Sequence, residues 1–352
     1  MHIKYAIKSE GFFMAKYNFC TLFDSAYLTR GLAMYESLSV HCKEFHLYIV
    51  AFDDLAFETL VKLDLEHATI ISLEMFEDET LKRIKQERTK GEYCWTCTSF
   101  VIRYAIDRFG LEHCTYLDAD VYFFADPSVL VDEMQDASVL ITEHRYTPMY
   151  DQSATSGIYC VQFVTFKNDE RGIKVLSWWQ NACREWCYAR YEDGKFGDQM
   201  YLDHWTSMFE GVHVLRHLGG GVAPWNIQQY TLGQEGSKLY GIEKKTHTKF
   251  DVIFYHFHAL RFLSHNQIEL SVYRLSQNDR TYLYKPYVRH LENLSDKLGE
   301  KFIFLQKPVS VEGYTLSYMI SRLKDDWLLP FKFFYRKLFS RQRIFDKKSF
   351  IA

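Results

Sequence analysis

Short apolar runs alternate along the first half of the chain with stretches of roughly a dozen residues whose apolar positions recur at helical spacing. This alternation limits the fold more than any other feature. Residues 17–23, 45–51, 69–73 and 114–117 read as buried strands. Residues 29–40, 53–65, 76–88 and 96–109 read as helices, with Asp53 as the cap of the second. After Pro127 the pattern continues less regularly, with strands expected at 138–142, 159–165, 212–215 and 251–256 and helices at 169–190 and 198–209. Strands alternating with helices predict an α/β fold, Rossmann-like, with a mainly parallel sheet and helices on both faces. Beyond about residue 265 the sequence reads as helices and loops, a helical C-terminal extension.

Composition narrows the class of partner. A net charge of −3 over 352 residues excludes nucleic acid as a partner of the whole surface. Aromatic residues make up 17% of the chain, enough to fill a core and to supply platforms for sugars. The charge is unevenly spread. Residues 322–352 hold nine basic and three acidic residues, a net +6 that leaves −9 on the rest. The eight cysteines read as reduced thiols of a cytoplasmic protein. A zinc site from Cys94 and Cys97 with Cys183 and Cys187 is the alternative, and buried thiols are preferred to it.

Asp118 and Asp120 close the fourth strand in Tyr116-Leu-Asp-Ala-Asp-Val-Tyr-Phe-Phe124. In extended backbone they share a face, and the carboxyl ends of strands are where open α/β sheets bind ligands. Two charges among Leu, Val and Phe call for compensation. A divalent cation with hard oxygen ligands supplies it. Capping of a helix at Asp126-Pro127 is the plain alternative. His256 and His258 lie near the last clear strand as candidate ligands, against a structural role. Asp198 and Gln199 follow Gly194 and Gly197, where an N-cap role stands beside a binding one. Gly219-Gly220-Gly221 reads as a tight turn or a close backbone approach. Trp225 reads equally as core or as a sugar platform.

These segments, in order, resemble the GT-A nucleotide-sugar glycosyltransferases, most closely glycosyltransferase family 8, over about 18–262. Tyr116-Leu-Asp-Ala-Asp120 is similar to the family's Asp-x-Asp metal site, and Phe254-Tyr-His256-Phe-His258 to its late histidine ligand. Phe100-Val-Ile-Arg103-Tyr104 resembles the segment whose Arg contacts donor sugar and carboxylates. Thr21-Leu-Phe-Asp24-Ser-Ala-Tyr27 resembles the loop that holds base and ribose. Ser156-Gly157 and Gly197-Asp198-Gln199 resemble the family's Asn-Ser-Gly strand and its Asp-Gln pair beside the donor sugar. The chain departs from the family at Thr155, where Asn is usual, and at Ala223-Pro-Trp225, which precedes the histidines and has Ala for Lys. Arg261 is then the candidate diphosphate clamp. The chain also resembles bacterial surface-polysaccharide glycosyltransferases at 191–199 and 223–226.

The resemblance implies a GT-A-like catalytic domain over 17–265, with a nucleotide-binding half at 17–127 and an acceptor half at 128–265. It is flanked by a leader at 1–16 and the region 266–352. It implies a hexosyltransferase-type transferase that uses Mn2+ or Mg2+ and a nucleotide-diphosphate sugar, UDP-sugar being expected, with retention of configuration. Metal ligands are then Asp118, Asp120, His256 and His258. Donor contacts come from Thr21, Asp24, Tyr27, Arg103, Asp118 and Arg261, and catalytic contacts from Asp198, Gln199 and Arg103. The acceptor expected is a glycan or a lipid-linked acceptor. The basic, aromatic tail 322–352 suits an anionic membrane surface, peripheral at the inner face, with a helix packed on the body as the alternative. Competing readings are a sugar nucleotidyltransferase, which would want a basic Gly-rich loop after the first strand, and a non-catalytic sugar-nucleotide binder.

Overall fold

The computed structural model of the chain describes residues 15–299, 302, 305–308, 331 and 343–352. Its central sheet takes β1 (Tyr17–Phe23), β2 (Phe45–Ala51), β3 (Ala68–Ser72), β4 (His113–Leu117), β6 (Val139–Glu143), β7 (Tyr159–Lys167) and β8 (Val212–Val214) in the order β3-β2-β1-β4-β7-β6-β8. Every neighbouring pair is parallel except those of β7, which runs antiparallel to both β4 and β6. This is the mainly parallel α/β sheet expected of a GT-A-like chain.

The pleat divides the core. Phe19, Phe23, Leu47 and Ile49 face one apolar cluster, which includes Leu28, Leu32 and Leu38 of the Leu28–His41 helix. Cys20, Leu22, Tyr48 and Val50 face the other, filled by the Lys90–Phe109 and Glu170–Glu185 helices. All eight cysteines are free thiols, and all but Cys94 are fully buried. Among the described residues no group of cysteines converges as metal ligands.

Local chemistry moves several boundaries. The helix expected from 96 begins at Lys90, because Thr89 and Glu92 form a capping box, and it stops at Gly110 with φ +64°. The helix expected to reach 190 ends at Glu185, where Trp186 turns extended. Residues 198–209 form a 3-10 turn (Met200–His204) and one α-turn (Trp205–Met208) instead of a helix. Buried Leu202 and Trp205, three residues apart, suit the tighter winding. An antiparallel sheet of β9 (Tyr230–Glu235), β10 (Lys238–Glu243) and β11 (Lys249–Asp251) is additional to the expected strands.

Two short strands place the site: β5 (Val121–Phe123) pairs antiparallel with β12 (Phe254–His256). In the C-terminal region the Lys285–Leu298 helix packs on the Leu28–His41 helix and shares its core cluster. There β14 (Gln267–Glu269) lies between β13 (Arg261–Phe262) and β15 (Ile344–Asp346). This corrects part of the tail reading. Arg343 pairs with Glu269 at 2.7 Å, buried Lys347 pairs with Glu292 at 2.6 Å, and Phe350 is in the core. Residues 343–352 therefore take the packed alternative. Residues 322–330 and 332–342, which carry most of the proposed membrane-binding side chains, lie outside the described residues. Among the described residues no helix is long and apolar enough to cross a membrane.

Candidate metal centre

Asp118 and Asp120 stand in a turn directly after β4, closed by the Val121 N–H donating to the Asp118 carbonyl at 3.2 Å. The extended backbone expected there is absent, yet the two carboxylates still converge. His256 joins them from β12, since its backbone pairs with Val121. Its Nε2 lies 3.1 Å from Asp120 Oδ1 and 3.8 Å from Asp118 Oδ2. One donor atom from each of the three residues lies within 4.8 Å of the others. Neither carboxylate caps the next helix: Pro127 holds the N-cap position of Ser128–Asp132, and the Ser128 N–H is taken by Asp126.

The electrostatics are those of a site short of positive charge. Burial lifts the Asp118 carboxyl to about 6, opposed by His256 and assisted by Asp120. Burial acts on Asp120 too, but the His256 imidazole outweighs it and brings that carboxyl down to about 2. Burial disfavours a charged His256, yet the attraction of Asp120 holds the ring well above its ordinary value. Asp198 is buried nearby, and burial together with the Asp118 charge pushes it up to about 8. Oxygen donors plus one imidazole suit Mn2+ or Mg2+, so the residues present fit the expected cation.

Several expected donor residues gather around this cluster. After burial, the charges acting on the Tyr27 hydroxyl are those of Arg30, Asp120, Asp24 and Arg261. Asp24 accepts the Tyr27 N–H at 3.1 Å and pairs with Lys90. The loop is pinned further by Asp53, which accepts from Ser25 and caps the next helix. Thr21 is fully buried on β1, with no hydrogen-bond partner for its hydroxyl among the described residues. Arg261 donates to the Lys307 carbonyl at 3.0 Å. The Gln199 amide donates to the Ser156 carbonyl at 2.5 Å, joining the Asp-Gln and Ser-Gly segments. Asp198 precedes the 3-10 turn, and Gln199, not Asp198, occupies the N-cap position.

Two placements differ from expectation. The Arg103 guanidinium turns to Asp107 at 2.6 Å and Ser177 at 3.3 Å. The reason is helix phase: Val101, Ile102, Ala105 and Ile106 form the buried stripe, so position 103 faces the Glu170–Glu185 helix. His258 is exposed and outside the three-ligand group, its ring centre 5.8 Å from that of His256.

Other residues complete the surroundings, Arg30 among them with no motif to mark it. Arg30 is buried, donates to the Leu260 carbonyl at 3.1 Å, lies over the Tyr27 ring and adds positive charge near Asp120. Its position inside an apolar helical stripe was the available signal. Trp225 packs edge-on behind His256 and His258 at 5.4 and 5.5 Å and donates to the His144 carbonyl. Asn226 bonds the same carbonyl, so Ala223-Pro-Trp-Asn226 is a buried support for the histidines.

The fold and the site together define a mixed-sheet α/β protein with a carboxylate–histidine cluster at a strand end. No known family's sequence profile matches the chain. It is 30% identical over 298 residues to the uncharacterized protein YfnD of Bacillus subtilis (strain 168), covering 82% of this chain and 93% of that one. It is 28% identical over 296 residues to the uncharacterized protein YfnF of the same strain, covering 80% and 96%. The chain belongs to the family of YfnD. Among solved structures it is similar to the galactosyltransferase LgtC in complex with donor and acceptor sugar analogues, at 10% identity and TM-score 0.49, over 78% of this chain and 95% of that one. It is also similar to the glycosyltransferase GlyE of Streptococcus pneumoniae TIGR4, at 15% identity and TM-score 0.41, over 61% of this chain and about half (48%) of GlyE.

Proposed function

We propose that the chain is a metal-dependent glycosyltransferase that transfers sugar from a nucleotide-diphosphate donor, expected to be a UDP-sugar, to a glycan or lipid-linked acceptor. Surface-polysaccharide synthesis is the expected setting, and retention the expected outcome. The convergence of Asp118, Asp120 and His256 at the end of β4 is the observation that carries this reading. Mn2+ or Mg2+ held there would offset the charge that develops on the leaving diphosphate. The protein's own groups supply the rest. Tyr27 offers a hydroxyl that feels both Asp120 and Arg261, a group and a cation for base, ribose or diphosphate. Asp198 places a carboxyl next to Asp118, where it can hydrogen-bond a donor sugar. Gln199, through Ser156, ties the Asp198 segment to the Ser153–Ser156 turn that precedes β7.

The test is a panel of nucleotide-diphosphate sugars monitored for released nucleotide with and without Mn2+. Metal-dependent release from one donor supports the reading. Metal-independent binding with no turnover of any donor, with acceptor extracts present, would favour a non-catalytic binder.

A further inference from the structure

Gln162 lies in the middle of β7, fully buried in a strand that is otherwise almost wholly apolar or hydroxylic. A primary amide in such a place costs free energy unless its groups are paired. Only half of this one is. The His256 Nδ1–H donates to Gln162 Oε1 at 2.7 Å, while Gln162 Nε2 has no hydrogen-bond partner among the described residues. The same residue's backbone carbonyl accepts the Asp118 N–H at 3.2 Å. One residue thus grips two of the three proposed ligands, one by its backbone and one by its side chain. Space for the amide is made by Gly221. A Cβ there would lie 3.0 Å from Gln162 Nε2 and 2.7 Å from Thr142 Cγ2, on a backbone with φ +92°.

We infer that Gln162 is a positioning residue that fixes the tautomer and aim of His256 for a divalent cation, an inference that rests on the metal reading above. With Nδ1 held to Gln162, Nε2 is the nitrogen that faces Asp118 and Asp120, and it is the one that would give up its proton to a cation and serve as third ligand. A leucine would pack in β7 without a buried amide. The orphaned Nε2 is tolerated because the oxygen on the same carbon has this task. The glycine run at 219–221 acquires a reason as well: Gly221 allows the amide to reach the ring.

The test measures Mn2+ affinity by electron paramagnetic resonance of the free ion, on the full chain, for wild type, Gln162→Met and Gln162→Glu. Methionine keeps length and apolar volume but cannot accept the ring proton, whereas glutamate can. Gln162→Met should bind Mn2+ about 10–100-fold more weakly, and Gln162→Glu should restore affinity to near the wild-type value. Equal affinity in wild type and Gln162→Met would overturn the inference while leaving the metal site standing. No Mn2+ binding by wild type would overturn the metal reading and the inference with it. Should Gln162→Met fail to fold, nitrogen-15 imidazole spectra of the Mg2+-loaded wild type decide, with His256 assigned against His256→Gln. A proton on Nδ1 supports the inference, and a proton on Nε2 contradicts it.

Discussion

His256 and Asp120 are tied twice: their side chains meet at 3.1 Å, and the His256 backbone pairs with Val121, the residue next to Asp120. The Asp120 carbonyl also accepts the Phe257 N–H at 2.9 Å. The ligand geometry is therefore built into the β5–β12 ladder rather than assembled on binding. The Asp120 carboxylate in turn holds the imidazole well above its ordinary value.

Asp120→Ala should abolish cation binding. A ligand at about 100 times its Kd stabilises the native state by about 2.7 kcal/mol, so millimolar Mn2+ should raise the wild-type melting temperature and leave that of Asp120→Ala unchanged. Calorimetry in chelator and in Mn2+ measures this. An equal rise in both proteins would move the metal elsewhere.

Asp198 predicts a pH dependence. Its native value of about 8 exceeds that of an unfolded carboxyl, so between about 4 and 8 the folded protein holds a proton that the unfolded chain has lost. That contribution is complete below the unfolded value and is lost as pH rises through the native one. Asp198→Asn should thus gain stability relative to wild type between pH 4 and pH 9, by on the order of 1–3 kcal/mol. Denaturant titrations of both proteins at the two pH values give the difference of differences. A pH-independent difference would show that Asp198 ionises normally.

The sequence shows the site better than it shows the fold's edges, for physical reasons. Asp118, Asp120 and His256 are legible because charge at the end of an apolar strand demands an explanation. Arg103 misleads because helix phase is set by its neighbours Val101, Ile102, Ala105 and Ile106. Arg30 and Gln162 are hidden because a single polar residue in an apolar run looks like a boundary or an accident. Their meaning depends on Leu260 and His256, more than 90 residues away in sequence. The β9–β11 sheet is missed although Tyr230 and Leu232 alternate with exposed positions. Its strands are short and polar on one face.

The docked C-terminus predicts a stability effect apart from the site. Lys347→Met leaves Glu292, which is mostly buried, without its 2.6 Å partner and should cost about 3–5 kcal/mol. Lys347→Met with Glu292→Met should recover most of that loss. Equal destabilisation by the single and double variants would mean that the pair does not hold the terminus.

With Arg343 and Lys347 committed to ion pairs, the proposed membrane role falls on the remaining basic residues of the tail, of which Lys332, Arg336, Lys337 and Arg341 stand among its aromatics. Replacing these four by Gln should release the protein from anionic vesicles at low salt, at about 1 kcal/mol per charge. Sedimentation with the vesicles reads the partition. Unchanged partitioning would remove these residues from any lipid contact.

Calorimetric titration of nucleoside diphosphates into wild type and Asp120→Ala, with Mn2+ and with chelator, asks whether the carboxylate–histidine cluster holds a nucleotide through a cation. At least one nucleoside diphosphate should bind wild type only when Mn2+ is present, and Asp120→Ala should bind it in neither condition. Equal binding in chelator, or equal Mn2+-dependent binding by Asp120→Ala, would contradict a nucleotide-sugar site built on Asp118, Asp120 and His256.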